Sequence, residues 1–394
     1  MTNVNRTDHV DSEDFIFNVS TILPPVSLDN VTKDELNTSS VVSSDTYVSL
    51  LEDVSSYLWV ILSPILFIVG VTGNVLTIGV LRQMKFHKKP PFFFLFVLAL
   101  SDITVLCVGL SRYWIRETFS LDIRALTNFG CKFNLFFIYW SMQLSSWILV
   151  CVVLERCIKT NFPYRYPRIV TIPRCIALVI LLMIILAGVD MHYFWTNGLI
   201  SDGSELECNS LTDAYFNFEE FVFTYVDFTV LSVVPFVLMI VMNATIIRVI
   251  RQSRQFRKST VRSKSTNEKL KKFDVKLTRM LVCTSVYFLV ATLPISVYFI
   301  VDSYQDELTD LESAKLDVVW SSSYLFQFSN YTINFFLYNL INKKFRNKFI
   351  DLIKCRSPKQ KRKSSKNDSV YSVQTADTYI GSETKDSEEM STGE

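Results

Sequence analysis

Seven separate runs of apolar residues, each long enough to cross a bilayer, constrain this chain more than any other feature. They cover approximately 57–81, 91–110, 129–154, 172–194, 221–247, 280–301 and 318–340. A hydrocarbon core roughly 30 Å thick takes about 20 helical residues to cross. Lipid offers no partner to a backbone N–H or C=O, so each run has to close its own hydrogen bonds as a helix. The expected fold class is an all-α membrane protein: a seven-transmembrane helix bundle with a short amphipathic eighth helix over 342–353. Composition agrees, since 49% hydrophobic residues with only 10 Gly and 11 Pro leave more apolar mass than a water-soluble core accommodates. Pro64, Pro235 and Pro294 fall inside runs, where neighbouring groups can satisfy the carbonyls a proline frees, and read as kinks.

Placement of charge sets the orientation. The stretch between the first two runs carries Arg82, Lys85, Lys88 and Lys89 without an acid, and the stretch between the fifth and sixth is dense in Lys and Arg from Arg251 to Lys272. Such loops face the cytoplasm. Acids collect on the other side, from Asp202 to Glu220 and from Asp306 to Glu312. An odd number of spans then puts the N-terminus outside, where the glycosylation sequons at Asn5, Asn18, Asn30 and Asn37 can be used. The expected localisation is the plasma membrane, multi-pass. Residues 1–54 read as a disordered, glycosylated outer tail, 55–355 as the helical domain with its eighth helix, and 356–394 as a disordered cytoplasmic tail. A formal net charge of +2 gives no case for a nucleic-acid partner.

Of eight cysteines, Cys131 and Cys208 are the two that this topology places on the oxidising side, and a disulfide between them is expected. Cys355 follows the amphipathic segment at the cytoplasmic face. It is either a palmitoylation site or a free thiol.

Several landmarks at matching order and spacing make residues 55–355 resemble the rhodopsin-like family of G-protein-coupled receptors. They are Gly73-Asn74 in the first helix, Leu98-Ala99-Leu100-Ser101-Asp102 in the second, and Glu155-Arg156-Cys157 at the family's distance from Cys131. Pro163, Pro235, Phe288 with Pro294, and Asn334-Phe335-Phe336-Leu337-Tyr338 followed by Phe345-Arg346 complete the set. The chain departs from the pattern at Thr292, where the family has Trp, and at Phe335, where it has Pro; the fourth helix also lacks its usual Trp. The Asn-Phe-X-X-Tyr form of the seventh-helix motif is most similar to invertebrate FMRFamide and myosuppressin receptors.

The resemblance implies roles for membrane-embedded polar residues, which are costly in lipid unless paired or hydrated. Asp102 with Ser145, Asn330, Asn334 and Asn74 would form a sodium site; the bland alternative is a water-filled polar cluster. Glu155 and Arg156, with Asp274 at the inner end of the sixth helix, would be a latch released by movement about Pro294, with Tyr338 part of the same switch; otherwise they are solvated interface charges. In the outer half, Arg112, Asp190 and Asp227 either pair with one another or leave Asp227 and Asp302 to receive a cationic ligand group beside Tyr139, Phe299, Trp320 and Tyr324.

Ile138 stands where the family's amine receptors need Asp, and Phe328 where opsins need Lys, which argues against both ligands. His9, His87 and His192 form no ligand cluster, and no enzyme signature appears. The function this points to is a receptor for a cationic, amidated neuropeptide that activates heterotrimeric G proteins. Receptor kinases and arrestin would act on the tail hydroxyls from Ser369 to Ser387, and the basic run before them would lie against anionic lipid. A secondary transporter, or a binding protein that signals weakly, is the alternative.

Overall fold

The computed structural model describes residues 33–202, 205–259, 267–302 and 308–354, with the side chains at 33–44, 202, 205, 253–259 and 267–277 outside that description. The sequons at Asn5, Asn18, Asn30 and Asn37, the Asp274 side chain, Cys355 and the tail hydroxyls therefore lie outside it. Two units make up the chain, Met1–Tyr47 and Val48–Glu394. Of the first, residues 33–47 are described, and they are helical. Apart from the N-terminal turns of the first helix, everything below belongs to the second.

The long helices are α1 (Lys33–Gln83), α2 (Pro90–Phe119), α3 (Asn128–Asn161), α4 (Ile172–Asp190), α5 (Asp213–Gln252, continuing to Ser259), α6 (Asn267–Asp302) and α7 (Asp310–Ile341), followed by the short α8 (Lys343–Ile353). Helix α1 begins well before the apolar run at 57–81 and takes in residues 33–54, which the sequence suggested as tail. Neither Gly nor Pro occurs between Lys33 and Pro64, and a nucleated helix propagates at one hydrogen bond per residue until something stops it. Its stop is Lys85, in the left-handed region at φ 58°, and Pro90 opens α2 at the first helical position, where its missing N–H costs nothing. Threonines cap three of the others: Thr127 accepts from Gly130 N at 2.9 Å, Thr212 from Tyr215 N at 3.3 Å, and Thr309 forms a reciprocal capping box with Glu312.

Six of these helices are long and apolar enough to cross a membrane by length and composition among the described residues. Helix α7 falls outside that set because Ser321, Ser323, Gln327, Asn330, Thr332 and Asn334 dilute its apolar character, yet all six are buried. Their hydrophilicity faces the bundle, which is where a membrane helix can keep it. The opposite preference appears as exposed apolar stripes, Ile61, Ile65 and Ile68 on α1 and Val286, Val290, Leu293 and Val297 on α6. Stripes at helical spacing with nothing packed on them suit a lipid solvent.

A strand pair, unanticipated in the apolar pattern, is present among the described residues. β1 (Asn197–Asp202) and β2 (Glu205–Ser210) form an antiparallel hairpin between α4 and α5, with Leu199 opposite Cys208. Cys208 on β2 is bonded to Cys131 at the start of α3, with the two Cα atoms 5.4 Å apart, so the hairpin is pinned to the bundle. Two apolar clusters fill the interior. One, including Leu81, Phe92, Leu95, Ile148, Val152, Met239, Phe288 and Tyr338, lies toward the Arg156 end; the other, including Trp59, Leu106, Leu110, Tyr113, Ile138, Ile295, Tyr324 and Phe328, lies toward the disulfide. Helices α1 and α7 touch so closely that a Cβ on Gly70 would come within 2.6 Å of both Thr332 Oγ1 and Leu106 Cδ1.

Candidate functional site

Three polar assemblies interrupt the apolar interior. The first lies where the two clusters meet. On α2, Asp102 is fully buried and accepts hydrogen bonds from Ser145 Oγ of α3 at 2.6 Å and Asn334 Nδ2 of α7 at 2.8 Å. All three helices pass from one cluster to the other near this level, so the carboxylate sits in a seam of the packing. Asn330 and Asn334 each keep a buried amide oxygen without a partner. Asn74 does not reach the carboxylate; it donates to the carbonyls of Tyr331 at 2.8 Å and Gly70 at 3.0 Å, tying α1 to α7.

The second assembly is at the Arg156 end. Glu155 and Arg156 are both buried, and the guanidinium donates through two nitrogens to the adjacent carboxylate, Nη2 to Oε1 at 2.6 Å. Sequence reasoning missed the third member. Tyr166, on a short helical turn (Tyr166–Ile169) after α3, donates its hydroxyl to Glu155 Oε1. Burial first, and then the Glu155 charge, push that phenol pKa up. A tyrosine at the edge of a basic loop carries no sequence signal of its own. Tyr338 is buried nearby on α7, its ring 5.7 Å from Phe345 of α8 and its hydroxyl without a partner among the described residues.

The third lies nearer the disulfide, and here the charges do not pair with one another as one sequence alternative had it. Arg112 turns away from the bundle centre to Asp122 in the loop after α2, at 3.4 Å, and stacks over Tyr113 at 4.9 Å. Asp122 also takes Arg124 at 2.7 Å. Burial alone would raise the Asp122 pKa, but hydrogen bonds from Arg124 and the two guanidinium charges hold it well below the ordinary carboxylate value. Asp190 and Asp227 are left to each other, bridged by a residue the sequence did not single out. Gln143 Nε2 donates to Asp190 Oδ1 at 3.1 Å and to Asp227 Oδ1 at 2.9 Å.

The expected aromatic residues fall into two groups. Trp320 and Tyr324 stack on each other at 5.7 Å and join Trp59, Tyr113 and Phe328 in a box closed by Trp59 Nε1 donating to Ser321 Oγ at 3.0 Å. Phe299 meets Tyr324 edge-on at 6.4 Å. Tyr139 belongs elsewhere, stacked on Tyr193 at 5.1 Å and set edge-on to Phe223. Asp302 is exposed and accepts from Tyr298 at 3.3 Å. Thr292 and Phe335, the departures from the family pattern, are buried, and Phe335 packs edge-on against Phe349 of α8 at 5.0 Å.

A bundle of this kind, with a buried acid on α2, an acid–arginine pair closing α3 and a disulfide to a hairpin loop, is the arrangement of a membrane receptor. The family model for the 7 transmembrane receptor (rhodopsin family) matches residues 73–338, and the chain belongs to that family. Among curated proteins it is similar to a neuromedin U receptor homolog of Caenorhabditis elegans, 25% identical over 74% of this chain and 77% of that one. It is also similar to the thyrotropin-releasing hormone receptor of Gallus gallus, 24% identical over 91% and 94% of the two chains, and to human neuromedin-U receptor 2, 24% identical over 73% and 69%.

Proposed function

We propose that this receptor lies in the plasma membrane with its N-terminus and disulfide-pinned hairpin outside, binds a cationic neuropeptide there, and activates heterotrimeric G proteins at the Arg156 end. The observation that carries this proposal is the Glu155–Arg156–Tyr166 assembly. An arginine buried against its neighbour's carboxylate is a charge held in readiness, and an outward shift of α6, which carries Pro294 in its interior, would free it to meet a partner helix. Peptide rather than amine or retinal chemistry is supported by the relatives named for neuromedin U and thyrotropin-releasing hormone and by Ile138 and Phe328 at the two diagnostic positions. The narrower likeness to FMRFamide and myosuppressin receptors rests on the Asn334-Phe335-Phe336-Leu337-Tyr338 motif alone. Receptor kinases and arrestin would read the tail.

Asp102, Ser145 and Asn334 fit a sodium ion, because they bring a carboxylate, a hydroxyl and an unpartnered amide oxygen together, all hard donors, and Asn330, one turn before Asn334 on α7, would add a second such oxygen. The ion would supply the positive charge that this buried carboxylate lacks, and Asp102→Asn should abolish any sodium dependence of thermal stability.

Nucleotide exchange on a purified G protein, driven by the receptor in nanodiscs with a synthetic neuropeptide library, tests the main proposal. Peptide-dependent exchange that is absent with receptor-free nanodiscs supports it; peptides that bind without raising exchange would leave a binding protein instead.

A further inference from the structure

The bridge at Asp190, Gln143 and Asp227 is chemically incomplete. Only the NH2 end of a glutamine can face two carboxylates, so Gln143 spends both its amide hydrogens there, one on each acid. This leaves Gln143 Oε1 and Asp190 Oδ2 buried with no donor, on two residues that are themselves completely buried. No Lys or Arg among the described residues pairs with either acid. Lys132 donates to the Phe194 carbonyl, Arg112 is held by Asp122, and His192, two residues beyond Asp190, turns its Nδ1 to the Val189 carbonyl. Two carboxyl groups share one neutral amide in the bundle interior, and ionising both there costs several kcal/mol unless something positive joins them.

Access to this place is one-sided. Asp190 and Gln143 are sealed, whereas Asp227 is half-buried. Gln143 lies about 18 Å along α3 from Cys131 at 1.5 Å per residue, and Tyr139 stands one turn above it on the same face, stacked with Tyr193. A guest would need a long, thin side chain ending in a flat array of donors, because the free acceptors are spread over Gln143 and Asp190, beside the Asp227 carboxylate. A guanidinium has that geometry, with five N–H groups in a rigid fork and faces that suit aromatic neighbours.

Building on the peptide-receptor proposal, we infer that Asp190, Gln143 and Asp227 form a deep subsite for a guanidinium group, the arginine side chain of the activating peptide. The carboxylates hold the charge, and Gln143 keeps them apart and in register while its own oxygen accepts from the guest.

The test needs no knowledge of the peptide. Thermal unfolding of the purified receptor is followed in constant sodium with increasing arginine amide, and in parallel with citrulline amide, its uncharged isostere. Arginine amide raises the unfolding temperature and citrulline amide does not. Asp190→Asn and Asp227→Asn each weaken the arginine amide effect by about 10- to 150-fold, the range of a charge-assisted contact, while Asp213→Asn, at the exposed start of α5, leaves it unchanged. Equal shifts from both amides, no shift from either, or a shift that survives Asp227→Asn would overturn the subsite. The wild-type contrast stands even if a variant fails to fold. Exchange driven by peptides that contain no arginine, with arginine amide inert, would remove the subsite and leave the peptide receptor intact.

Discussion

At the Arg156 end of α3 a carboxylate and a guanidinium on adjacent residues close on each other, with a tyrosine hydroxyl sealing the pair; three turns closer to the disulfide, two carboxylates meet across one neutral amide. Both places are buried on the same helix, so the difference lies in what has been supplied. The first contains its own counter-charge and is stable until a movement opens it. The second needs its counter-charge brought from elsewhere. A receptor that senses on one side and acts on the other needs both kinds of site, one that is open to a charge and one that withholds a charge.

The largest effect that probes this contrast comes from opening the closed site. Glu155→Gln leaves a buried arginine without its carboxylate, which costs about 3–5 kcal/mol. Thermal unfolding should fall accordingly, and basal nucleotide exchange should rise. Unchanged basal exchange in a destabilised variant would mean that the pair is structural and not a latch. Tyr166→Phe removes one hydrogen bond to the same carboxylate and should cost about 1.5–3 kcal/mol, with a smaller rise in basal exchange and an intact Arg156–Glu155 contact. If Tyr166→Phe matched Glu155→Gln in both readouts, the tyrosine rather than the ion pair would be the closure.

The smallest effect concerns the Arg112–Asp122–Arg124 clamp, a third, loop-level solution in which one acid serves two cations. The Asp122 pKa is depressed in the folded protein, so its contribution is present above the unfolded value of about 3.9 and is lost as pH falls below it. Limited proteolysis between α2 and α3 should therefore speed up as the pH is lowered through that range, and Asp122→Asn should make the rate high and flat. A rate insensitive to pH in the native protein would mean the arginines are held by something else.

Much of this was legible in the sequence. Seven apolar runs set the bundle, the topology singled out Cys131 and Cys208, and the resemblance to rhodopsin-like receptors implied Ser145 and Asn334 as partners of Asp102. What escaped has a physical pattern. Gln143 is neutral and sits in an apolar run, so nothing flags it until two acids are seen to share it. Tyr166 lies in a loop, and which hydroxyl a buried carboxylate meets depends on how a turn folds back. Trp59 carries no signal of its own within the first apolar run, and packing of α1 on α7 at Gly70 turns it into the aromatic box. Arg112 was grouped with the acids of the bundle because charge is what a sequence displays, whereas its partner was set by the short connection to Asp122.

The measurement that bears most directly on the contrast is thermal unfolding of Asp190→Asn and Glu155→Gln side by side, without ligand and in the same nanodiscs. Asp190→Asn relieves the crowding of two buried carboxyl groups while keeping an acceptor for Gln143, and should raise stability by about 1–3 kcal/mol. Glu155→Gln should lower it. Shifts of opposite sign are the predicted result; two losses of similar size would mean that Asp190 is already neutralised within the bundle, and that the open and closed sites are not different in kind.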